Sequence, residues 1–306
     1  MEIIKPGINI DLVGKMKIAF TASLFLIIIS ILSMALHGGL NLGIDFAGGT
    51  LVQIKFSQET DTNKIRNSLK TIGLGNSIIQ RFGYHDNNEF LIKTEKSSSE
   101  LKGLSSKVEE ALNTSYGKEG FEVRRIEVVG PKVGKDLREK GILAMLYAMI
   151  GILIYVTWRF ELRYAVGAII ALTHDVLITV GIFSLMDKEF TLPIVAALLA
   201  IIGYSLNDTI VVYDRIRENI KGVRKQSLKD IVNSSINQVL SRTVLTSGTT
   251  LLVVLALFFL GGAVIHDFAF AMLVGITIGT YSSVFIASPA ILVWESISPS
   301  KEKRRK

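Results

Sequence analysis

The residues best suited to chemistry lie inside long apolar runs. Asp175, preceded by His174, stands midway along one run, and Asp208, preceded by Asn207, stands in the next. Arg242 opens the run after that. An ionised side chain at the bilayer centre costs about 2.5–3.5 kcal/mol on insertion scales, so such residues are functional candidates. These five residues are therefore the candidates for a proton relay.

Each candidate also has a structural interpretation. Asp208 and Arg242 could form a static ion pair near the interface, with Arg242 reaching toward lipid phosphates. We expect Asp208 to lie about four residues from a helix boundary if its helix ends near Tyr213. Burial without a nearer basic partner favours the relay interpretation of Asp208. His174 and Asp175 could equally make a hydrogen bond between helices, and there both interpretations stay open.

Hydroxyl and small side chains form further patterns around these candidates. A hydroxyl stripe near enough to hydrogen-bond a carboxylate follows Arg242, at Thr243, Thr246, Ser247 and Thr250. The last run has small-xxx-small spacing, which is typical of close packing between membrane helices, at Gly275, Gly279 and Ser283. An amphipathic helix with a Ser227/Asp230 cap is predicted to lead into Arg242, with an apolar face of Leu228, Ile231, Val232, Ile236, Val239 and Leu240.

Six apolar runs must position these residues. The chain has 306 residues and a formal charge of +7, but its charged residues avoid these runs almost completely. About 20 apolar residues span the hydrocarbon core as a helix. The sequence therefore predicts an α-helical integral membrane protein, which excludes a soluble enzyme, a nucleic-acid binder and a disordered tail. The runs are residues 18–36, 142–158, 164–186, 190–213, 243–265 and 268–294.

Composition narrows the chemistry further. The chain contains no cysteine, so a disulfide, a thiolate metal site and a redox motif are excluded. We find no spacing typical of a metal site and expect neither a metal nor a cofactor.

Basic residues in the short loops predict the orientation, because Lys and Arg resist translocation. They concentrate in the N-terminal tail, in loops 159–163 and 214–242, and in the tail after residue 300. In the short loops 187–189 and 261–267, Lys188 is the only Lys or Arg residue. Both termini are therefore predicted to be cytoplasmic, and residues 38–141 to lie outside the cytoplasm.

The first apolar run could also be read as a secretory signal, with Ser33 and Ala35 as a small-x-small cleavage site. Residues 18–36 exceed the usual apolar region of such signals, about 7–15 residues, so we expect an uncleaved anchor.

The predicted organisation is a tail (1–17), a first membrane helix (18–37), an extracytoplasmic domain (38–139), membrane helices 2–6 (140–294, with the basic loop 214–242) and a basic tail (295–306).

The extracytoplasmic stretch reads as a small α+β domain. Strand-like runs at 49–56, 77–82, 89–94 and 121–128 alternate with amphipathic stretches near 63–74 and 101–112. The order β-α-β-β-α-β predicts a ferredoxin-like fold. Its sheet should leave one face open for docking, and it carries no catalytic constellation.

Residues 130–136 imitate a phosphate-binding loop. The segment is one residue short between its glycines, and Asp136 replaces the hydroxyl residue that the motif requires. We therefore predict that this segment binds no nucleotide and that the protein is not an enzyme. Any work that it performs is then driven by an ion gradient or by a partner.

Several segments together resemble the SecF branch of the SecD/SecF family, membrane subunits of the bacterial Sec protein-export machinery within the resistance-nodulation-division superfamily. They are 40–50 (LNLGIDFAGGT), 128–134 (VVGPKVG), 203–219 (GYSLNDTIVVYDRIREN) and 241–247 (SRTVLTS). The resemblance runs from Lys15 to Trp294 in topology, loop lengths and motif order. Its motif residues include Gly43, Asp45, Gly48, Gly49, Gly130, Pro131, Asp214 and Arg215.

The resemblance implies a function and partners. Members pair with SecD, a second six-helix half, associate with the SecYEG channel and often with YajC, and use the proton-motive force to help draw preproteins out of the bacterial inner membrane. In the family, the carboxylate of the Asn-Asp motif and the arginine of the fifth helix are linked to proton passage. The corresponding residues of this chain are Asp208 and Arg242. No nucleic acid is implied.

The mechanism expected on this basis is an alternating ion pair. Asp208 would be charged when paired with Arg242 and protonated when the pair is broken, because desolvation favours the neutral acid. The external domain, joined through Gly38-Gly39 and the Gly48-Gly49 turn, would transmit the movement. We also expect that a partner surface is needed to enclose the intramembrane carboxylates.

Two alternatives remain at this point. The chain could be half of a small-molecule or lipid exporter of the same superfamily, although about 100 external residues without an aromatic-rich segment are few for a drug-binding domain. It could also be a purely structural subunit, which should tolerate Asp208→Asn.

The loop charges give a first test. Reporter fusions at Gly117 should report an extracytoplasmic location and fusions at Lys306 a cytoplasmic one, because the basic loops stay inside. Activity of paired enzymatic reporters measures this. A cytoplasmic signal at Gly117 would overturn the predicted orientation.

Overall fold

Six helices in the chain are long and apolar enough to cross a membrane. The computed structural model describes residues 8–82, 88–94, 104–222 and 226–297. The candidate spans are Val13–Leu36, Pro131–Arg159, Leu162–Leu185, Leu192–Gly222, Leu228–Leu260 and Val264–Ile297. The predicted six-helix membrane protein is thereby confirmed. Part of the predicted helix near 101–112, part of the basic loop 214–242 and the basic tail after residue 300 lie outside the described part.

The elements follow one another as predicted, with four strands between the first two membrane helices. The helices are α1 (Met16–Leu36), α2 (Ile44–Ala47), α3 (Thr62–Lys70), α4 (Leu104–Tyr116), α5 (Pro131–Arg159), α6 (Leu162–Leu185), α7 (Leu192–Gly222), α8 (Leu228–Leu260), α9 (Gly262–Ser282) and α10 (Ser288–Ile297). The strands are β1 (Gly49–Phe56), β2 (Ile78–Phe82), β3 (Glu89–Thr94) and β4 (Phe121–Val129). A π-helical turn, Ser283–Ala287, joins α9 to α10.

Two membrane helices extend beyond the predicted apolar runs, and of their boundaries only the end of α7 differs from the prediction. Helix α7 does not end near Tyr213 but continues to Gly222, so Asp208 lies well within it. Helix α8 begins at Leu228 and runs without a break to Leu260, so Arg242 sits inside a continuous helix. The change from apolar to charged residues marked the expected membrane edge in both cases, but it does not end a helix whose backbone can still hydrogen-bond internally. The Ser227 cap is confirmed, since its Oγ accepts from the backbone N–H of Asp230 at 3.2 Å.

The α+β domain has the predicted ferredoxin-like topology. Its sheet order is β2-β3-β1-β4, and every neighbouring pair is antiparallel. Helices α3 and α4 cover one face, where Ile54, Phe90 and Leu112 are fully buried. Asp61 caps α3 by accepting from the backbone N–H groups of Asn63 and Lys64. The opposite face of the sheet turns toward the membrane helices.

The two glycine pairs differ in their surroundings. Nothing lies within 4 Å of the position that a Cβ would take at Gly38 or Gly39, so this turn is open. At Gly48, with a φ of +77°, a Cβ would lie 2.9 Å from the Cα of Pro131. A Cβ at Gly134 would lie 3.0 Å from the backbone N of Gly48. The Gly48 turn is thus a tight junction with the start of α5, and residues 130–136 open that helix.

Helices α6 and α7 form the inside of the membrane part, together with the last span. Within an apolar stretch of 18 residues, 56% of the residues are buried in α6 and in α7, but only 6% are buried in α5 and 17% in α8. Helix α1 packs on α6 through small side chains, with Ser33 Oγ 2.9 Å from Ser184 Oγ. The outer helices α5 and α8 therefore present broad apolar faces to lipid or to another protein.

Candidate functional site

Asp175 lies at a meeting point of three helices. Its side chain is 1% exposed. Ser205 of α7 donates to its Oδ2 at 2.6 Å, and Ser282 of α9 donates to the same atom at 2.8 Å. His174 Nδ1 lies 2.9 Å from Oδ1. Three partners satisfy a carboxyl group that burial alone would strongly disfavour as an ion.

A second chain of hydrogen bonds continues from His174 to α1. His174 Nε2 lies 3.1 Å from Ser23 Oγ, which lies 3.0 Å from the hydroxyl of Tyr281. The Tyr281 hydroxyl donates to the backbone oxygen of Ala19 at 2.8 Å. Because a carbonyl can only accept, Tyr281 uses its proton there, and Ser23 must donate to Tyr281.

The directions of these hydrogen bonds determine how many protons His174 and Asp175 share. Since Ser23 has given its only proton to Tyr281, His174 must donate from Nε2 to Ser23. The remaining contact, between Nδ1 and Asp175, then needs one proton, on the imidazole or on the carboxyl. The two residues therefore form a neutral unit that shares one proton, either as an ion pair or as two neutral groups.

Asp208 has far fewer partners. Its side chain is 2% exposed, and its Oδ2 accepts from Ser247 Oγ of α8 at 3.0 Å. Thr280 of α9 donates to Ser247 at 2.8 Å. Within the described part of the chain, no hydrogen bond reaches the other carboxylate oxygen of Asp208. One hydroxyl compensates poorly for a buried charge, which favours a neutral acid in this arrangement.

Arg242 does not pair with Asp208 here. Its side chain is exposed, and among the described residues it has no ion pair within 4.0 Å. The ion pair that the sequence suggests is thus absent from this structure. Ser247, five positions further along α8, faces inward in its place. The neighbour Asn207 is also exposed, because successive helix residues point about 100° apart.

The predicted patterns around the candidates are only partly used. Of the hydroxyl stripe, Ser247 contacts Asp208, whereas Thr246 bonds to the backbone of its own helix and the buried Thr243 hydroxyl has no partner in the described chain. A Cβ at Gly279 would press against Ser205, so this glycine serves close packing. Sequence reasoning missed five hydroxyl residues, because serine, threonine and tyrosine recur throughout the apolar runs. They are Ser23, Ser205, Thr280, Tyr281 and Ser282.

The hydrogen-bond partners of the two carboxyl groups lie close together on α7 and α9. Ser205, a partner of Asp175, precedes Asp208 by about one helical turn. Ser282 of α9 donates to Asp175, and Thr280 of the same helix donates to Ser247, the partner of Asp208. The π-helical turn follows immediately, at Ser283. Such turns are frequent at functional sites because they interrupt the regular helix. No continuous hydrogen-bond chain joins the two carboxylates within the described residues.

The turn between α6 and α7 connects this region to the α+β domain. Gly43 donates to the backbone oxygen of Phe190 at 2.9 Å, and Phe190 donates to that of Asn41 at 2.7 Å. Asp45 accepts from the backbone N–H of Leu192 at 2.8 Å and so caps α7. An acidic group at a helix N-terminus is stabilising. Motif residues after α1 are thus bound to the helices that carry the carboxylates.

A buried ion pair adds to this connection. Lys93 of β3, only 9% exposed, contacts Glu189 in the α6–α7 turn. Burial lowers the pKa of Lys93 to about 8, and the Asp45 carboxylate opposes part of that shift. Lys93 is therefore mostly charged at neutral pH and loses its charge in mildly alkaline solution. Lys188 of the same turn bonds to Asp267 of α9 at 2.6 Å.

The motif residues Asp214 and Arg215 lie at the opposite end of α7. Arg159 Nη2 lies 3.5 Å from the Asp214 carboxylate, and Arg215 donates to Glu218 one turn later at 2.9 Å. These pairs are solvent-exposed and contribute little to stability. Neither residue contacts the buried carboxylates.

Comparison with known proteins identifies close relatives. The family profile described as "Protein export membrane protein SecD/SecF, C-terminal" matches residues 108–296, and "SecD/SecF GG Motif" matches residues 36–60. The chain is 51% identical to the protein translocase subunit SecF of Magnetococcus marinus, over 98% of this chain and 97% of that protein. It is 47% identical to the corresponding subunit of Vibrio alginolyticus, over 95% and 91%.

Two solved structures share the fold. One is the crystal structure of SecDF from Thermus thermophilus, described as a translocon-associated membrane protein, with a TM-score of 0.84 and 40% identity over 97% of this chain. The other is SecDF in a super-membrane-facing form, with a TM-score of 0.71 and 38% identity. The present chain spans only 40% and 41% of the length of those two chains.

The Asp175 network gives a prediction about stability. Asp175→Ala leaves three polar partners without an acceptor and should cost about 3 kcal/mol, at roughly 1 kcal/mol for each hydrogen bond. Asp175→Asn keeps an acceptor oxygen and should cost less. Thermal unfolding in mild detergent measures both. Glu218→Ala, on the exposed end of α7, is the control, and an equally small effect of Asp175→Ala would contradict the network.

Proposed function

The chain belongs to the SecD/SecF family of protein-export membrane proteins, and we propose that, as an accessory subunit of the Sec translocase, it uses the proton-motive force to promote late steps of preprotein export. The observation that carries the proton coupling is Asp208, a buried carboxyl group with a single hydroxyl partner inside a membrane helix. Such a group changes charge readily when its surroundings change. The small-molecule exporter is not favoured, because the relatives are translocase subunits over nearly their whole length.

The proposed coupling step is a change of partner at Asp208. Here Ser247 donates to the carboxyl group, and the exposed Arg242 makes no ion pair with it within 4.0 Å. A shift of α8 that brings the Arg242 guanidinium to Asp208 would favour the ionised form, and its reversal would favour protonation. Passage of one proton would then accompany each movement of α8 against α7.

His174 and Asp175 supply a second proton-holding unit in this proposal. Their shared proton can move between imidazole and carboxyl without changing the net charge of the pair. Ser205 links this unit to α7, one turn from Asp208. Asn207 is exposed on α7 in this arrangement, and its part in the relay stays a prediction.

We propose SecD as the partner that covers the exposed face of α7. The expectation that a partner must enclose the carboxylates is wrong, because both are buried within this chain alone. Support comes instead from Asn207, whose amide is exposed at membrane depth together with Ala200 and Gly203. A polar side chain beside small residues favours close helix association in lipid. Contacts with SecYEG, YajC and preproteins are part of the same proposal, as are cytoplasmic termini.

The mechanism predicts a specific phenotype for Asp208→Asn. This change keeps the shape of the side chain but removes its ionisation, so the gradient-dependent part of export should fall to the level seen without a gradient. ATP-driven translocation and association with the partner should persist. Asp208→Glu should retain part of the activity. Preprotein transport into inverted vesicles, with and without a collapsed proton gradient, measures this.

Glu218→Gln is the matched control, since it neutralises an exposed carboxylate on the same helix. Full gradient-dependent stimulation by Asp208→Asn would eliminate the relay role and leave a structural role for this residue.

The contact between Lys93 and Glu189 predicts how movement reaches the α+β domain. Lys93→Glu places two carboxylates together and should reduce gradient-dependent export, because the domain loses its buried ion pair with the α6–α7 turn. The double variant Lys93→Glu/Glu189→Lys should recover most of it. The same vesicle assay, run at pH 7, measures both.

Reversal of the exposed pair Arg124–Glu122, which lies within β4, serves as the control and should have no effect. If the double variant is as defective as Lys93→Glu, the ion pair itself does not carry the coupling.

A further inference from the structure

The segment before α1 crosses the first part of α8. Residues 9–15 form a strap that begins without regular structure and ends in a 3₁₀ turn, Val13–Lys15, which leads directly into α1. Asp11 closes this turn by accepting from the backbone N–H of Gly14 at 2.7 Å. Because no residue separates the strap from α1, whatever holds the strap also holds the start of that helix.

Asn237 of α8 binds both backbone groups of one strap residue. Its Oδ1 accepts from the N–H of Ile10 at 2.9 Å, and its Nδ2 donates to the carbonyl oxygen of Ile10 at 2.9 Å. A hydrogen-bonded pair of residues in an antiparallel sheet exchanges the same two bonds. The amide suits this role because it carries a donor and an acceptor side by side. Asn237 thus binds the strap in the way that a neighbouring strand would.

Asn233, one helical turn earlier, binds the strap on both sides of Ile10. Its Oδ1 accepts from the backbone N–H groups of Leu12 and Val13, at 2.9 and 3.1 Å. Its Nδ2 donates to the carbonyl oxygen of Ile10 at 3.0 Å and to Asn9 Oδ1 at 3.1 Å. Residues four apart lie on the same face of a helix, so the two asparagines form one continuous binding strip for the strap.

An apolar contact completes the attachment. Val13 is only 2% exposed and belongs to the same apolar cluster as Val232 and Ile236 of α8. In the apolar part of α8, by contrast, only 17% of a stretch of 18 residues is buried. The first part of α8 is therefore held more closely by the rest of the chain than its apolar part is.

The strap also connects α8 to the unit formed by His174 and Asp175. Within α1, the Ala19 carbonyl accepts from the Tyr281 hydroxyl at 2.8 Å, and Ser23 Oγ lies 3.1 Å from His174 Nε2. The internal hydrogen bonds of a helix resist changes in its length, so α1 and α8 each transmit an axial displacement from one end to the other. A displacement of α8 therefore reaches His174 through the strap and α1.

We propose that Asn233 and Asn237 are positioning residues for the proton coupling. By binding the strap they join α1 to α8, so that the two helices move as one body and Ser247 keeps its register against Asp208. Ser247 follows Asn237 by ten positions, about 15 Å along the helix at 1.5 Å per residue. The asparagines therefore act through the helix and not by contact with the carboxyl group. This proposal rests on the coupling step proposed at Asp208.

Removal of the two amides gives the first test. In a chain that combines Asn233→Ala with Asn237→Ala, we expect gradient-dependent export to fall at least about fivefold, the equilibrium weight of one net hydrogen bond. ATP-driven translocation and the amount of inserted chain should persist. Preprotein transport into inverted vesicles, with and without a collapsed proton gradient, measures this.

Gln238→Ala is the matched control, because this exposed amide of α8 bonds to Asn219 of α7 and not to the strap. It should leave gradient-dependent export unchanged. Unchanged export in the double alanine variant as well would overturn the positioning role.

A reversible covalent bridge separates positioning from mere stability. The chain contains no cysteine, so Asn9→Cys and Asn233→Cys introduce one addressable pair at side chains that lie 3.1 Å apart. A bifunctional methanethiosulfonate with an ethylene linker joins the two thiols, and a reductant removes it. We expect the unbridged pair to lose gradient-dependent export, the bridge to restore it, and reduction to abolish it again.

Each single cysteine variant, treated with the same reagent, is the control and should not be rescued. A bridged chain that stays as defective as the unbridged one would overturn the proposal. So would a bridge that lowers export further, since the strap would then have to detach from α8 during the cycle.

Labelling of Asp208 measures the register independently of export. N,N′-dicyclohexylcarbodiimide modifies protonated carboxyl groups in apolar surroundings, and Asp208→Asn identifies the label at this residue. Loss of both amides should loosen the contact with Ser247 and raise the labelling rate about fivefold, by the same equilibrium argument. In the cysteine pair, the bridge should return the rate to that of the unaltered chain. Equal rates in all these chains would overturn the positioning role.

The two readouts separate this proposal from the export function. Vesicles with the unaltered chain that export equally well after collapse of the gradient would refute the proposed function, and the labelling rates would still decide whether the asparagines set the register. Gradient-dependent export that ignores both the alanine changes and the bridge would refute the positioning role and leave the function intact.

Discussion

Burial of two carboxyl groups in an apolar bundle is the constraint on which the rest of this structure depends. Each group must be neutral, paired or hydrogen-bonded, because an isolated charge in hydrocarbon is too costly to keep. The chain answers in two ways. Asp175 receives a nearly complete set of partners from α6, α7 and α9, whereas Asp208 receives one hydroxyl. The first arrangement stabilises a fixed helix packing, and the second leaves a group whose charge depends on what approaches it.

The α6–α7 turn converts this local chemistry into a mechanical connection. Both carboxylates sit on the helices that this turn joins, and the turn is bound to the segment after α1, to β3 and to α9. Asp45 caps α7 directly, so the start of that helix cannot shift without moving the motif segment. The Gly48 turn is packed against Pro131, whereas nothing lies within 4 Å of the position that a Cβ would take at Gly38.

Sequence reasoning recovered the elements and failed on the contacts. The six spans, the strand order and the cap at Ser227 follow from local patterns, since hydropathy and alternation report directly on burial. The end of α7 was misplaced because charge marks a membrane edge but not a helix end. The absence of the Asp208–Arg242 pair and the three partners of Asp175 depend on how helices rotate against each other. One sequence cannot specify that rotation, because many serines and threonines are equally available to hydrogen-bond.

The Asn-Asp pair at 207 and 208 unites two requirements that look separate. Adjacent helix positions differ by about 100°, so the same turn of α7 presents Asp208 inward and Asn207 outward. A partner helix packed on Asn207 would therefore contact the residue next to Asp208, the protonatable group. Any rotation of α7 that loosens the contact at Asn207 also changes the surroundings of Asp208. In the proposed function, assembly and ion coupling thus involve adjacent residues of one short helical segment.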